Sequence, residues 1–288
     1  MSRFSPFREE LVLKPEEHQL FCELFREQAG LSLGPQSRFS TERRLRDRLV
    51  ALNLKSFSEY YQVLRFHPNA RAEMEEAIDA MTTHETYFFR EDYQLRAFQE
   101  ELLPALIKEN KQSRRISIWS AGCSTGEEAY TIAMLMLASG LVEGWDVRVY
   151  GSDISKKCVA AARQGVYGKG SFRTALLPSF AQYFDKRPDG ELAVGKAARA
   201  LCHFGQMNLT DAEKTSVLGL VDVIFCRNVL IYLTDDARKR VISTLYEQLR
   251  PGGVLMLGHS ESLLNVTTAF ELYHLKEDLV YKRPSGTP

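Results

Sequence analysis

Between residues 116 and 128 an apolar run, Ile116-Ser117-Ile118-Trp119-Ser120-Ala121, gives way to Gly122-Cys123-Ser124-Thr125-Gly126 and then to Glu127-Glu128 and a helical pattern. A short apolar strand, a small-residue loop and a helix form the opening unit of an α/β sheet. Small residues let the backbone turn sharply at the carboxyl end of a strand and approach a ligand closely. In open α/β sheets that edge is where ligands bind. A second strand, Asp146–Gly151, runs on to Asp153, and a helix follows through Cys158–Arg163. Strand Val221–Phe225, helix Asp235–Arg250, the turn Pro251-Gly252-Gly253 and strand Val254–Gly258 come later. The alternation predicts an open, mostly parallel sheet with helices on both faces. The run Phe270–Tyr281, two β-rich stretches around Lys276-Glu277-Asp278, predicts an antiparallel hairpin at one edge.

Residues 1–82 follow a different grammar. Helices are predicted over Glu16–Gly30, from a cap at Ser40 or Thr41 through Leu52, over Phe57–Phe66 and over Ala70–Met81. Apolar side chains at Leu20, Phe21, Leu24 and Phe25, at Leu45, Leu49 and Leu52, and at Met74, Ala77, Ile78 and Met81 recur at helical spacing. A small all-α domain is therefore expected over 1–82, a linker over 83–115 and the α/β domain over 116–288. Between Tyr167 and Asn208 the alternation lapses. Pro178, Arg187-Pro188-Asp189-Gly190 and the alternating run Glu191–Val194 predict an inserted β lobe at about 167–207.

With 37 basic against 37 acidic residues, a chain-wide nucleic-acid footprint is not expected. Apolar runs such as Val217–Cys226 are too short and too interrupted to span a bilayer, and Arg3, Arg8, Glu9 and Glu10 break any leader-like segment. Five scattered cysteines without a CxxC pair indicate neither a disulfide framework nor a zinc knuckle. A cytoplasmic protein without a metal and without membrane insertion is expected.

The loop discriminates between nucleoside ligands. A dinucleotide fingerprint requires GxGxxG and a helix start that welcomes pyrophosphate. Here Glu127 and Glu128 would place negative charge beside any phosphate, which disfavours an NAD-linked dehydrogenase. Asp153, at the end of the second strand, is suited to a ribose diol. A ligand with a ribose but no phosphate fits better, and S-adenosyl-L-methionine, with its cationic sulfonium and α-amino group, is one. The plainer alternative is that Gly122 and Gly126 only permit close packing of helix on strand.

Two further segments carry chemistry. Thr82-Thr83-His84-Glu85-Thr86-Tyr87-Phe88-Phe89-Arg90-Glu91 joins the two regions. Its Arg90 could clamp a carboxylate in bidentate fashion, and aromatic faces suit a sulfonium as they suit other cations. Alternatively Phe88 and Phe89 belong to the core. In Phe225-Cys226-Arg227-Asn228-Val229-Leu230-Ile231-Tyr232 a hydrophobic strand runs abruptly into Arg-Asn, either on the ligand side of the sheet or in an ordinary turn.

These three segments in this order, followed by Gly258-His259-Ser260-Glu261-Ser262, strongly resemble the bacterial chemotaxis receptor glutamate methyltransferases. The resemblance covers nearly the whole chain and implies a class I methyltransferase (Rossmann-like) sheet. It also implies S-adenosyl-L-methionine as methyl donor, with S-adenosyl-L-homocysteine as product. It assigns cofactor contacts to His84, Thr86, Arg90, Glu128, Asp153, Asn208-Leu209 and Asn228-Val229, and a reaction centre to Arg90 and Tyr232. His84 stands where the family usually has Asn, and Ala129 where it usually has Pro. The implied reaction esterifies glutamate side chains on the cytoplasmic helical domain of methyl-accepting chemoreceptors. A glutamate carboxylate, with an unperturbed pKa of about 4.3, is already ionised at neutral pH and needs no general base.

Arg38, Arg43, Arg44, Arg46 and Arg48 outnumber Glu42 and Asp47 on the second helix. Such a run is commonly a solvated face, but the resemblance implies that it docks acidic receptor helices. Some family members tether to a receptor's C-terminal pentapeptide through a longer, Gly-containing lobe turn. The turn Asp185–Gly190 is short, so independence of that tether is expected. A non-catalytic cofactor-binding signalling module and a methyltransferase acting on another acceptor are the competing readings. Arg90, Asp153 and Tyr232 together speak against the first. The charge balance and the lack of an NPPY-like motif speak against a base-modifying enzyme.

Overall fold

The computed structural model describes residues 11–173 and 178–286. The stretch from Arg3 to Glu10, on which the expectation about a leader rests, lies outside them. The chain divides into two compact units, Met1–Thr83 and His84–Pro288.

The first unit is helical. α1 (Pro15–Ala29) starts with proline, its Glu17 carboxylate accepts the Lys14 amide at 2.9 Å, and Gly30 closes it in the left-handed region. α2 (Arg38–Ala51), α3 (Phe57–Phe66) and α4 (Ala70–Met81) follow. Ser56 caps α3 through the Glu59 amide, and His67, preceding Pro68, is forced out of the helical region. Phe21, Leu24, Phe25, Leu45, Leu49, Phe57, Tyr60 and Ala77 make the core. α2 begins earlier than expected, so Ser40 and Thr41 are not caps. The Ser40 hydroxyl donates back to the Ser37 carbonyl, and Thr41 is buried. Leu20 and Leu52 are exposed, at the margin of their stripes.

The second unit opens with α5 (Asp92–Ala97), a π turn (Phe98–Leu102) and α6 (Leu103–Glu109). The stretch 83–115, expected as a linker, belongs from His84 onward to this unit: Phe88, Leu95, Phe98, Leu102 and Leu103 are buried against the sheet cluster. Alternating strands and helices follow: β1 (Arg115–Ala121), α7 (Glu127–Ala138), β2 (Asp146–Asp153), α8 (Lys156–Gln164), β3 (Val166–Tyr167), α9 (Pro178–Ala181), β4 (Phe184–Lys186), β5 (Leu192–Val194), α10 (Lys196–Leu201) and β6 (Cys202–Gln206). The unit ends with α11 (Ala212–Thr215), β7 (Val221–Cys226), α12 (Asp235–Gln248), β8 (Leu249–Leu257), β9 (Glu271–His274) and β10 (Leu279–Lys282). The main sheet has the order β6-β2-β1-β7-β8-β10-β9. Its first five strands are parallel and β10 and β9 antiparallel, as the sequence predicts. Successive residues of the central strands feed opposite cores. Ile118, Val223 and Met256 face one helix layer, and Trp119, Ile224 and Leu255 the other.

The lobe is a separate three-stranded sheet, β3-β5-β4. It is shorter than the expected 167–207, because β6 pairs in parallel with β2 and completes the main sheet. Pro251-Gly252-Gly253 lies within β8 as an irregularity of its pairing with β7 and is not a separate turn. From β1 the chain moves outward through β2 to β6, then crosses back to β7 beside β1. Strand order reverses between β1 and β7, the place where open α/β sheets bind ligands at their carboxyl ends. No helix among the described residues is long and apolar enough to cross a membrane.

Candidate active site

The loop after β1 is fastened to the end of β2. The Gly122 and Cys123 amides donate to the Ser152 carbonyl, and the Ser124 amide donates to Asp153 Oδ2 at 2.8 Å. The Ser155 amide donates to Oδ1 at 2.8 Å. Asp153, 8% exposed, is thus held from both sides by charge-assisted bonds at the strand end. Gly122 has φ +82°, and a Cβ there would collide with Val229 Cγ2, so the loops after β1 and β7 touch where only glycine fits. Gly126 follows the plainer alternative: a Cβ would meet the Ala162 Cβ at 2.8 Å, so this glycine serves helix packing.

The adjacent glutamates part company. Glu127 turns into the interior, where Thr125 and Ser171 hydroxyls donate to it at 2.6 and 2.8 Å and burial pushes its carboxyl up. Glu128 faces the strand ends and accepts from Ser120 Oγ at 2.7 Å and Arg227 Nη1 at 3.0 Å.

Segment 84–91 closes over this edge. Ser124 Oγ donates to the His84 carbonyl at 3.1 Å. The His84 imidazole, Asp153 carboxylate and Cys158 thiol gather within 4.8 Å, a set that could also ligate a metal. Thr86 is half-buried beside them in sequence. Phe88 stacks on Phe172 and meets Tyr167 and Phe184 edge-on at about 5 Å, and Phe89 packs on Phe180. This aromatic pair is core, not a sulfonium cradle. Arg90 donates through Nη1 to the Glu85 carbonyl at 2.7 Å and lies 5.8 Å from the Tyr87 ring. Asn208 Oδ1 accepts from the Thr210 amide and hydroxyl, fixing the turn after β6, and Leu209 is buried there. The neighbouring Met207 amide bonds the Asp153 carbonyl. Tyr232, 39% exposed, ends the turn that begins at Asn228 and Val229. Among the described residues no hydrogen bond or ring contact joins it to Arg90.

Two residues without an assigned role in the sequence reading organise this edge. Arg227 has a side chain only 2% exposed. Its Nε donates to Gln94 Oε1 at 2.7 Å, Nη1 to Glu128, and Nη2 to the Arg90 carbonyl at 2.6 Å and Glu91 Oε2 at 3.1 Å. Burial alone would push the Glu91 carboxyl up, but Arg227, Asn228 and Arg90 overrule it and hold it below the usual range. Glu261 lies against the Asn228–Ile231 turn. An Arg directly after an apolar strand and a Glu just after the next one are the signals that could have raised them.

The basic helix of the first unit is largely engaged within that unit. Arg38 donates to the Leu13 carbonyl and lies over Phe39, and Arg46 pairs with Glu42. Arg44 donates to the Met81 and Thr82 carbonyls and the Thr83 hydroxyl. Arg48 makes a bidentate pair with Glu73, which also accepts from the Tyr60 hydroxyl at 2.7 Å. Arg44 and Arg48 are therefore tied into the unit itself, because their guanidiniums satisfy a helix end and a buried carboxylate. Arg43 stays exposed.

Residues 16–82 match the CheR methyltransferase all-alpha domain, and residues 84–279 match the CheR methyltransferase SAM binding domain. The chain belongs to the CheR methyltransferase family. It is 34% identical to chemotaxis protein methyltransferase 2 of Vibrio cholerae serotype O1, over 96% of this chain and 95% of that protein. With chemotaxis protein methyltransferase 1 of the same organism it shares 34% identity over 94% of this chain and 98% of that one. The chemotaxis protein methyltransferase of Vibrio parahaemolyticus serotype O3:K6 is 33% identical over 94% and 98%. In this CheR chain the boundary between the two family domains falls at the boundary between the two structural units.

Proposed function

We propose that the protein transfers a methyl group from S-adenosyl-L-methionine to glutamate side-chain carboxylates of chemoreceptors, forming methyl esters. The observation that carries this reading is the preset acceptor Asp153 beside a glycine cradle at the strand-order reversal. A ribose diol needs an acceptor held rigid, and the Ser124 and Ser155 amides fix the Asp153 carboxylate at the strand end. Glu128, anchored by Ser120 and Arg227, offers negative charge suited to an α-amino group. These residues fit the donor, and Asn208-Leu209 and Asn228-Val229 would line its remaining contacts. When bound, S-adenosyl-L-methionine supplies an electrophilic methyl on a sulfonium.

The chain's own task is then positioning. The acceptor carboxylate is ionised at neutral pH, so no side chain has to remove a proton. Arg90, braced by the Glu85 carbonyl, keeps guanidinium donors to steer a carboxylate. Tyr232, 39% exposed at the end of the turn after β7, would offer its hydroxyl to the acceptor. Fixing both partners can supply on the order of 7–11 kcal/mol of the barrier. The test is incubation with methyl-labelled S-adenosyl-L-methionine and a receptor cytoplasmic fragment. Label released by mild base marks a carboxyl ester, and label that survives base marks a different acceptor and sinks the proposal.

Receptor docking falls to the all-α domain, where Arg43 is an exposed cation on the basic helix. Arg43→Glu should raise KM for the receptor fragment about two- to fivefold and leave cofactor affinity and melting temperature unchanged. Arg48→Glu should instead destabilise the helical unit by roughly 2–4 kcal/mol, because it leaves Glu73 facing a like charge. Equal KM effects from both, without a stability difference, would contradict this division.

The lobe turn is closed on itself. The Arg187 amide bonds the Glu191 carbonyl, the Gly190 amide bonds the Arg187 carbonyl, and Arg187 pairs with Asp189 at 3.0 Å. We expect calorimetric titration with a receptor C-terminal pentapeptide to show no micromolar binding, and such binding would refute independence of the tether.

A further inference from the structure

One carboxylate accepts five backbone N–H groups. Glu261 Oε1 takes the amides of Val229 at 2.9 Å, Leu230 at 2.7 Å and Ile231 at 3.3 Å, and Oε2 takes those of Asn228 at 2.7 Å and Gly258 at 2.9 Å. The donors belong to two loops, one following β7 and the other following β8. A turn that starts directly after a strand leaves its first amides without intrahelical partners, and here a residue from the next strand's loop satisfies four in succession. Asn228 sits at φ +59°, outside the region an ordinary side chain prefers, and keeps that conformation because its amide is tied to Glu261. Approach of the two loops depends on Gly258. A Cβ there would meet Asn228 N, Asn228 Nδ2 and Glu261 Oε2, each at 2.8 Å.

An ionised carboxylate is the only side chain that suits this nest. It has two oxygens and no donor, so all five N–H groups find an acceptor. A carboxamide would turn an NH2 toward amides that already donate. The same turn carries Asn228 and Val229 and ends at Tyr232. We propose that Glu261 is a positioning residue for methyl transfer: it sets the conformation of Asn228–Ile231 and thereby the placement of Asn228, Val229 and Tyr232. This rests on the reading of those residues as cofactor and reaction-centre groups.

The test uses the full chain carrying Glu261→Gln, with Glu261→Asp, which keeps the charge but shortens the reach, as a second variant. In the free protein, amides 228–231 of Glu261→Gln should exchange hydrogen about tenfold or more faster, while those of β7 keep wild-type protection. Calorimetric Kd for S-adenosyl-L-homocysteine should rise about tenfold. Turnover should fall by about the same factor, with KM for the receptor fragment within about twofold. Glu261→Asp should fall between wild type and Glu261→Gln on every readout, and it supplies the same comparison if Glu261→Gln fails to fold. Faster exchange with unchanged Kd and turnover would reduce Glu261 to a structural cap and overturn the proposal, as would unchanged exchange. If wild type itself binds no S-adenosyl-L-homocysteine, the methyltransferase reading fails and the positioning role falls with it. Exchange at 228–231, which needs no ligand, would still report whether Glu261 holds the turn.

Discussion

Arg227→Met should lower the stability of the larger unit by about 3–5 kcal/mol and its melting temperature by roughly 6–15 °C, measured by calorimetry at pH 7. Methionine fills the space of the side chain but takes the closest guanidinium away from the partly buried Glu91 and Glu128 carboxylates, leaving Glu91 with Arg90 at 4.0 Å, and takes a donor from Gln94 Oε1 and the Arg90 carbonyl. Removing one partner of a buried pair costs more than the pair contributes, because the stranded charge stays desolvated. The sign of the pH dependence follows from Glu91. Its folded value lies below the ordinary glutamate value of 4.5, so its stabilising contribution is complete above that value and is lost as pH falls through the depressed one. Without Arg227, only Arg90 and Asn228 oppose the burial of Glu91, so its value rises relative to wild type and protonation relieves the variant. The gap between wild type and variant should therefore narrow from pH 7 to pH 4. A gap that stays constant or widens would mean that the guanidinium is not what holds Glu91 ionised. Affinity for S-adenosyl-L-homocysteine should fall as well, since Arg227 anchors Glu128 and the backbone at Arg90.

Arg227 also shows where sequence reasoning stops. The sheet was legible because its determinants are local. Ile116–Ala121 and Val221–Phe225 are apolar runs of strand length, and the loop at 122–126 after β1 and Asp153 at the end of β2 stand at carboxyl ends, where α/β geometry puts ligands. The edge strand β6 was not, because Cys202-His203-Phe204-Gly205-Gln206 is half-exposed with a glycine inside and reads as loop. The helices at 92–109 were hidden by the π turn and Pro104, which break the 3.6-residue period. The site was legible as a set of residue types and illegible as a set of pairs. Nothing in local spacing says that Arg227 meets Glu91 and Glu128, that Glu261 meets four amides some thirty positions earlier, or that Arg48 is committed to Glu73. Such partners follow from strand order, which is fixed only when the whole sheet assembles.

Arg90→Ala should reduce kcat/KM by roughly 10²–10³-fold, whereas Tyr232→Phe should cost only about two- to tenfold. The two side chains differ in how the fold holds them. Arg90 is braced by the Glu85 carbonyl, stands 4.0 Å from Glu91 and lies beside the Tyr87 ring, so its remaining donors point with little conformational freedom. A fixed guanidinium can orient a carboxylate through two parallel bonds, and deleting it removes both the charge and the geometry. Arg90→Lys should rescue little, because an ammonium lacks the planar fork. Tyr232 is more than a third exposed and ends the turn that Asn228 and Val229 begin. Its hydroxyl is replaceable by water at modest cost. Since the acceptor carboxylate carries its own negative charge above about pH 4.3, the pH profile of Tyr232→Phe should superimpose on that of wild type once scaled. If Tyr232 exchanged a proton with the acceptor, one limb of the profile would vanish with the hydroxyl. Comparable losses for Arg90→Ala and Tyr232→Phe would place the chemistry on proton transfer, and the positioning account of this site would have to be abandoned.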